Sequence, residues 1–233
     1  MFIPNYTLRA AVRRWLFNLH DIITYASHHP YFMLKKRAQS ETADYITSHM
    51  ADAISSPSSR EIMDIALAKA AVTEGYYLEF GVYKGGSISY MAKKCRKTVI
   101  HGFDSFEGLP TDWHGTLMKK GAFGRFKKLP KVPTNVTLHP GRFEDILPDW
   151  LERHPGPVAF IHIDCDLYTS TKAVLDALAP RIGKGTVVLF DEYFNYPNWK
   201  NHEFKAFQEY IAGSNKSYRY LAYSYFQVAL QIL

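Results

Sequence analysis

Leu78-Glu79-Phe80-Gly81-Val82-Tyr83-Lys84-Gly85-Gly86-Ser87 is the stretch on which the fold turns. An apolar run, Tyr76–Phe80, meets clustered glycines and then a helical pattern over Ser87–Cys95. A strand that turns through glycine into a helix is the opening unit of a parallel sheet, whose strands need crossover connections. The alternation continues outward. Apolar runs at Val99–Phe103, Asn135–His139, Val158–Ile163 and Gly185–Phe190 alternate with helical patterns at Phe143–Arg153, Ser170–Leu178 and His202–Ile211. Tyr218–Tyr223 and Gln227–Ile232 close the chain as a hairpin. The expectation is a doubly wound, Rossmann-like α/β fold, covered on both faces, with ligands at the carboxyl ends of the strands.

Residues 1–70 carry a different pattern. Leu8, Val12, Leu16, Leu19 and Ile23 recur at helical spacing between Arg9, Arg13 and Arg14. Ser55–Ser59, with Pro57, is a break, and Glu61–Val72 reads as an amphipathic helix. The chain thus divides into a helical extension, 1–70, and an α/β domain, 71–233. Of its 233 residues 47% are apolar and 21% charged, which suits a packed core and excludes disorder. No apolar run reaches the roughly 20 residues of a transmembrane span, and the N-terminal arginines interrupt a signal-peptide core. Two cysteines, Cys95 and Cys165, make no disulfide framework, so a reducing, cytoplasmic setting is expected. The net charge of +6 is spread along the chain without a nucleic-acid recognition motif. It reads as a solvated surface, compatible with an anionic substrate such as a nucleotide- or lipid-linked sugar. The basic, aromatic Arg9–Phe17 segment reads as an interdomain or dimer helix, which allows a homo-oligomer. Peripheral membrane contact is the alternative.

The turn itself is not G-x-G-x-x-G, because position 79 is Glu. An acid at the strand tip repels a pyrophosphate and suits a ligand with an ammonium group, such as the methionine part of S-adenosylmethionine. Asp104, about 20 residues on and at the end of the second strand, is placed to accept ribose hydroxyls. Gly141, Arg142 and Phe143 follow the third strand, where an adenine ring would lie. Four acids then converge on one sheet edge: Asp164 and Asp166 after the fourth strand, Asp191 and Glu192 after the fifth. Uncompensated, they repel one another, and a hard divalent cation is the natural remedy. Asp166 is expected to cap the following helix. Cys165 reads as packed, and His162 as a satisfied core histidine. The Gly-, Lys- and Pro-rich segment Ser105–Thr134 reads as a lid carrying Trp113, Phe123 and Phe126. Trp113 and Trp199 are candidates to stack on a sugar face or to pack the lid.

Together these motifs resemble the macrocin O-methyltransferase family, metal-dependent sugar O-methyltransferases. The resemblance spans residues 75 to about 212. It rests on the glycine turn, on Gly102-Phe103-Asp104-Ser105-Phe106-Glu107-Gly108-Leu109-Pro110, on Ile163–Tyr168 and on Asp191-Glu192-Tyr193. It implies a class I methyltransferase sheet of seven strands with the last antiparallel. It also implies S-adenosylmethionine as methyl donor and a sugar or glycan hydroxyl as acceptor. Magnesium would be held by Asp164, Asp191 and Glu192, with Asp164 also the base. The cofactor site it implies comprises Glu79, Phe80, Gly81, Tyr83, Gly85 and Ser87, then Asp104 and Ser105, then Gly141, Arg142 and Phe143, with Asp164. The family often has Asp-Asp-Tyr at 191–193 and Gly at 165. A metal-independent methyltransferase and a non-catalytic adenosyl-binding protein are the competing readings.

Overall fold

The computed structural model describes Val12, Arg13, Trp15, Leu16, Leu19 and residues 29–233. Those five are helical. Leu8, Arg9, Arg14 and Ile23 of the expected N-terminal helix lie outside the described residues. In chain order the elements are α1 (Pro30–His49), β1 (Ile54–Ser55), α2 (Ser59–Ala70), β2 (Tyr76–Phe80), α3 (Gly86–Lys94), β3 (Ile100–Asp104), β4 (Val136–Pro140) and α4 (Phe143–Arg153). There follow β5 (Val158–Ile163), α5 (Tyr168–Leu178), β6 (Val187–Phe190), a 3₁₀ turn (Trp199–Asn201), α6 (Glu203–Ala212), β7 (Tyr218–Tyr223) and β8 (Val228–Ile232).

The strands form one sheet in the order β1-β7-β8-β6-β5-β2-β3-β4. Only β8 runs antiparallel to its neighbours. This is the expected seven-stranded sheet, its last strand antiparallel, with one addition. The eighth strand, β1, lies where Ser and Pro suggested only a break. It pairs parallel to β7, and Ser56 N–H extends the pairing to Tyr223 O. Pairing there satisfies part of a backbone edge that would otherwise face water.

Burial explains the layering. All six residues of β5 are buried, as expected of a strand covered on both faces. On one face Ile62, Met63 and Leu67 of α2 and Ile88 and Met91 of α3 share a core with Tyr77, Phe160 and Leu189. On the other, Trp150 of α4, Leu175 of α5 and Phe207 of α6 share one with Phe80, Phe103 and Ile161. Helix α2 therefore packs on the sheet although it precedes residue 71. Ser58 caps it, accepting from Glu61 N–H at 3.4 Å. Strand order reverses between β2 and β5, which opens a crevice at their carboxyl ends.

Candidate active site

The glycine turn leaves β2 at Gly81, whose φ of +93° belongs to the left-handed region. A β-carbon there would stand 1.7 Å from the Asp164 carbonyl oxygen. The close approach that demands glycine is therefore to the chain after β5, and it seats Asp164 against the turn. Gly85, also left-handed, starts α3 and lies against Val132 and Pro130. Asp104 ties the turn down. Its Oδ2 accepts from the amides of Val82 at 2.9 Å and Tyr83 at 2.7 Å, and its Oδ1 from Phe106 at 2.7 Å. Two amides fill Oδ2, and Oδ1, with one, keeps a lone pair for a ligand hydroxyl.

Glu79 does not reach the crevice. It lies within β2, in register with His162 of β5, and is fully buried. Ser87 Oγ donates to its Oε1 at 3.0 Å, and His162 Nδ1–H to its Oε2 at 2.9 Å. The other imidazole nitrogen donates to Asp191 Oδ1 at 3.3 Å, and Gln227 donates to that same oxygen. Burial opposes charge on His162, but Asp191 and Glu79 outweigh it and hold the imidazole well above its ordinary value. Burial likewise works against Asp191, yet His162 keeps it below the usual carboxylate range. His162 is thus the satisfied core histidine expected, and it orients Asp191.

The acids converge as anticipated. Ligand atoms of Asp164, Asp166 and Glu192 lie within 4.8 Å of one another, as do those of His162, Asp164 and Asp191. Asp164 belongs to both groups. Both His162 nitrogens are engaged by carboxylates, so it is the acids that offer free ligand atoms. Burial, then the charge of Asp191, pushes Asp164 and Glu192 well above the ordinary carboxylate range. Burial, with Asp191 and Asp104, pushes Asp166 up to about 7. Glu203, unremarked in the sequence, is fully buried and holds the Glu192 amide at 3.2 Å. The Oε2 of Glu192 is buried with no hydrogen-bonding partner among the described residues. A buried, unpartnered carboxylate oxygen among like charges is what a hard divalent cation would satisfy. The donor set therefore fits magnesium.

A cavity of about 340 Å³ opens over this edge, within the range of small-ligand sites. Gly81, Tyr83, Asp104 and Ser105 line it on one side, and Gly141, Arg142 and Phe143 on another. Asp164, Asp166 and Glu192 form its acidic wall, and Trp113 and Phe123 reach it from the long loop. Four expected cofactor residues do not line it. Besides Glu79, Phe80 is buried and stacks on Phe103 at 4.9 Å, Gly85 faces the loop at 130–132, and Ser87 serves Glu79. Asp191 stands behind the wall. Asp166 makes no cap: α5 starts after Leu167 without a side-chain cap, and Asp166 adopts a left-handed φ of 65°. Trp199 is a core residue, edge-on to Phe204 at 4.8 Å. Cys165 is buried, and burial raises its thiol well above the ordinary value, which leaves it unreactive.

Comparison with known proteins agrees with this geometry. A family described as "Methyltransferase domain" matches residues 78–193. That match spans just under half of the chain. Two curated relatives are from Streptomyces. The 8-demethyl-8-(2,3-dimethoxy-alpha-L-rhamnosyl)-tetracenomycin-C 4'-O-methyltransferase of Streptomyces olivaceus is 31% identical over 144 residues, 51% of this chain and 53% of that protein. The demethyldecarbamoylnovobiocin O-methyltransferase of Streptomyces niveus is 28% identical over 152 residues, 54% of this chain and 56% of that protein. The chain thus spans about half the length of the curated relatives it matches. Among solved structures, the calicheamicin methyltransferase CalS11 superposes with a TM-score of 0.61 at 23% identity, covering 75% of this chain and 80% of that one. The O-methyltransferase NovP gives 0.54 at 23%, covering 73% and 78%. These structures share the methyltransferase fold. The resemblance to macrocin-type O-methyltransferases, read from the motifs, agrees with both curated relatives. No helix among the described residues is long and apolar enough to cross a membrane.

Proposed function

We propose that this methyltransferase domain transfers the methyl group of S-adenosylmethionine to a hydroxyl of a sugar or glycosylated metabolite, with a divalent cation such as magnesium. One observation carries the reading. A cavity has the glycine turn and Asp104 on one side and the Asp164–Asp166–Glu192 wall on the other. Donor and acceptor would meet between them. The curated relative named for a rhamnosyl 4'-O-methylation supports a sugar hydroxyl as acceptor. Two free cysteines fit a reducing compartment such as the cytoplasm.

In this reading each residue has a task. Asp104 holds the turn through both oxygens and offers the remaining lone pair of Oδ1 to a ribose hydroxyl. Tyr83, Ser105, Arg142 and Phe143 enclose the adenosyl group, and Gly81 lets Asp164 close on it. Asp164, Asp166 and Glu192, whose ligand atoms lie within 4.8 Å of one another, would hold the cation, and Asp191, expected from the sequence as a ligand, adjoins Asp164 from behind and is fixed by His162. Bound there, the cation supplies a Lewis acid that makes an acceptor hydroxyl easier to deprotonate. Asp164 takes the proton, with Asp166 as the adjoining carboxylate. Trp113 and Phe123 exclude water from the cavity.

Calorimetry with S-adenosylhomocysteine tests the donor side. Asp104→Ala is expected to weaken binding by about 1.5–3 kcal/mol. Equal affinity in wild type and variant would contradict the assignment. A methyl-transfer screen over nucleotide-linked rhamnose and rhamnosylated small molecules, with and without magnesium, tests the acceptor side. Turnover confined to nitrogen acceptors would overturn it.

A further inference from the structure

We propose that the lid over the cavity, residues 117–131, is a docking surface for an anionic lipid bilayer. The proposal stands apart from the reaction assigned above. Between Asp112 and Glu144 the chain has no acidic residue, while Lys119, Lys120, Arg125, Lys127, Lys128 and Lys131 crowd the middle of that stretch. Large apolar side chains are interleaved with them and face water. Phe126 is 94% exposed, Leu117 76% and Leu129 51%, with Met118 also exposed. Lys119 and Lys127 pair with Asp112 and Glu107 at the base of the lid. Lys120, Arg125, Lys128 and Lys131 make no ion pair among the described residues.

The loop is built to hold this display. The amides of Arg125 and Lys127 both donate to Phe106 O, at 3.0 and 3.2 Å. That clamps the backbone on either side of Phe126 and turns its ring outward. Phe126 and Lys127 sit at φ of 52° and 61°, a region that L-residues enter at a cost. Gly108 lies beneath, where a β-carbon would meet Ala122 O at 2.4 Å. A strained backbone that carries a phenylalanine into water gains nothing from the described residues of this chain.

Apolar tips ringed by cations match an anionic bilayer. The rings and leucines enter the acyl boundary, and the lysine stems lie along apolar surface with their charges at the headgroups. A second copy is a poor occupant, because a two-fold contact would set this cationic face against itself. Nucleic acid would engage the cations and rings but leave Leu117 and Leu129 without a partner.

The test is flotation of the full chain with vesicles of phosphatidylcholine alone and of phosphatidylcholine with phosphatidylglycerol at roughly three to one. Wild type should float only with the anionic vesicles, and high salt should release it. Phe126→Ser/Leu129→Ser and Lys120→Glu/Lys128→Glu should each bind at least about tenfold more weakly, with unchanged S-adenosylhomocysteine affinity as the check on folding. Trp15→Ser/Leu16→Ser, in the N-terminal segment, should retain binding. Loss only in that last variant would overturn the assignment to the lid. So would equal binding to both vesicles, or no binding. Self-association in sedimentation velocity, or oligonucleotide binding, that Phe126→Ser/Leu129→Ser abolishes in place of flotation would overturn it as well.

Discussion

Gly81→Ala is the smallest change that reaches the proposed centre. The new β-carbon would stand 1.7 Å from the Asp164 carbonyl oxygen and 2.6 Å from its carbon, at a φ of +93°. The neighbours are backbone, so no side chain can swing aside. The turn and the chain after β5 must separate by more than about 1 Å, and two hydrogen bonds resist it: Gly81 N–H to Phe103 O and Asp164 N–H to Phe80 O, both at 2.9 Å. Left-handed strain costs about 1–2 kcal/mol, and overpacking adds about 1–3 kcal/mol. The sum, about 2–5 kcal/mol, lowers the melting temperature by roughly 4–20 °C for a chain of this size. The residue displaced is Asp164, so methyl transfer measured well below the melting point should fall about a hundredfold. Gly86→Ala is the control. Nothing lies within 4 Å of its added methyl, and Gly86 opens α3, so stability should stay within about 1 kcal/mol. Paired thermal unfolding and turnover assays decide it. A Gly81→Ala protein that melts with wild type and turns over at the same rate would refute the close approach.

Two further outcomes follow from buried charge. His162→Phe strands Glu79, fully buried, without its partner and should cost about 3–5 kcal/mol in chemical denaturation; Glu79→Gln with His162 intact should cost less, and equal losses would speak against the ion pair. Burial, with His139 for His101 and His154 for His139, lowers both imidazoles to about 4. Unfolded, they titrate near 6.5, so the unfolded chain binds more protons between those values. Their contribution is present above about 6.5 and is lost as pH falls through about 4. Urea midpoints should therefore drop with acid more steeply in wild type than in His101→Phe/His139→Phe, and parallel curves would exclude this source.

Much of the fold was legible because a parallel strand buried on both faces is a continuous apolar run, as at Val158–Ile163, flanked by turn glycines. The ends of β2, β5 and β6 placed Gly81, Asp164 and Glu192 on one cavity for the same reason. What was not legible depends on register and side-chain direction. Glu79 read as a strand-tip ligand, but Phe80 continues β2 and the β2–β5 register sets Glu79 opposite His162. Asp166 read as a cap because it precedes a helix, yet the left-handed backbone at 166 carries it into the cavity. Glu203 opens α6 and gave no signal, since its neighbour Glu192 is brought to it only by tertiary packing. β1 was missed because two residues at a sheet edge have no periodicity to read.

In the proposed reaction the acids around Asp164 assist methyl transfer to a hydroxyl through a bound cation. Single-turnover methyl transfer from S-adenosylmethionine to the best acceptor of the screen, in wild type and Asp164→Asn, with EDTA and after magnesium is restored, tests it most directly. Asn keeps the shape of Asp164 and removes its charge. EDTA should abolish wild-type turnover, and magnesium should restore it. Asp164→Asn should lose at least about a hundredfold, about 2.7 kcal/mol of barrier, while S-adenosylhomocysteine binds with little change. Full turnover by Asp164→Asn in metal-free buffer would contradict it.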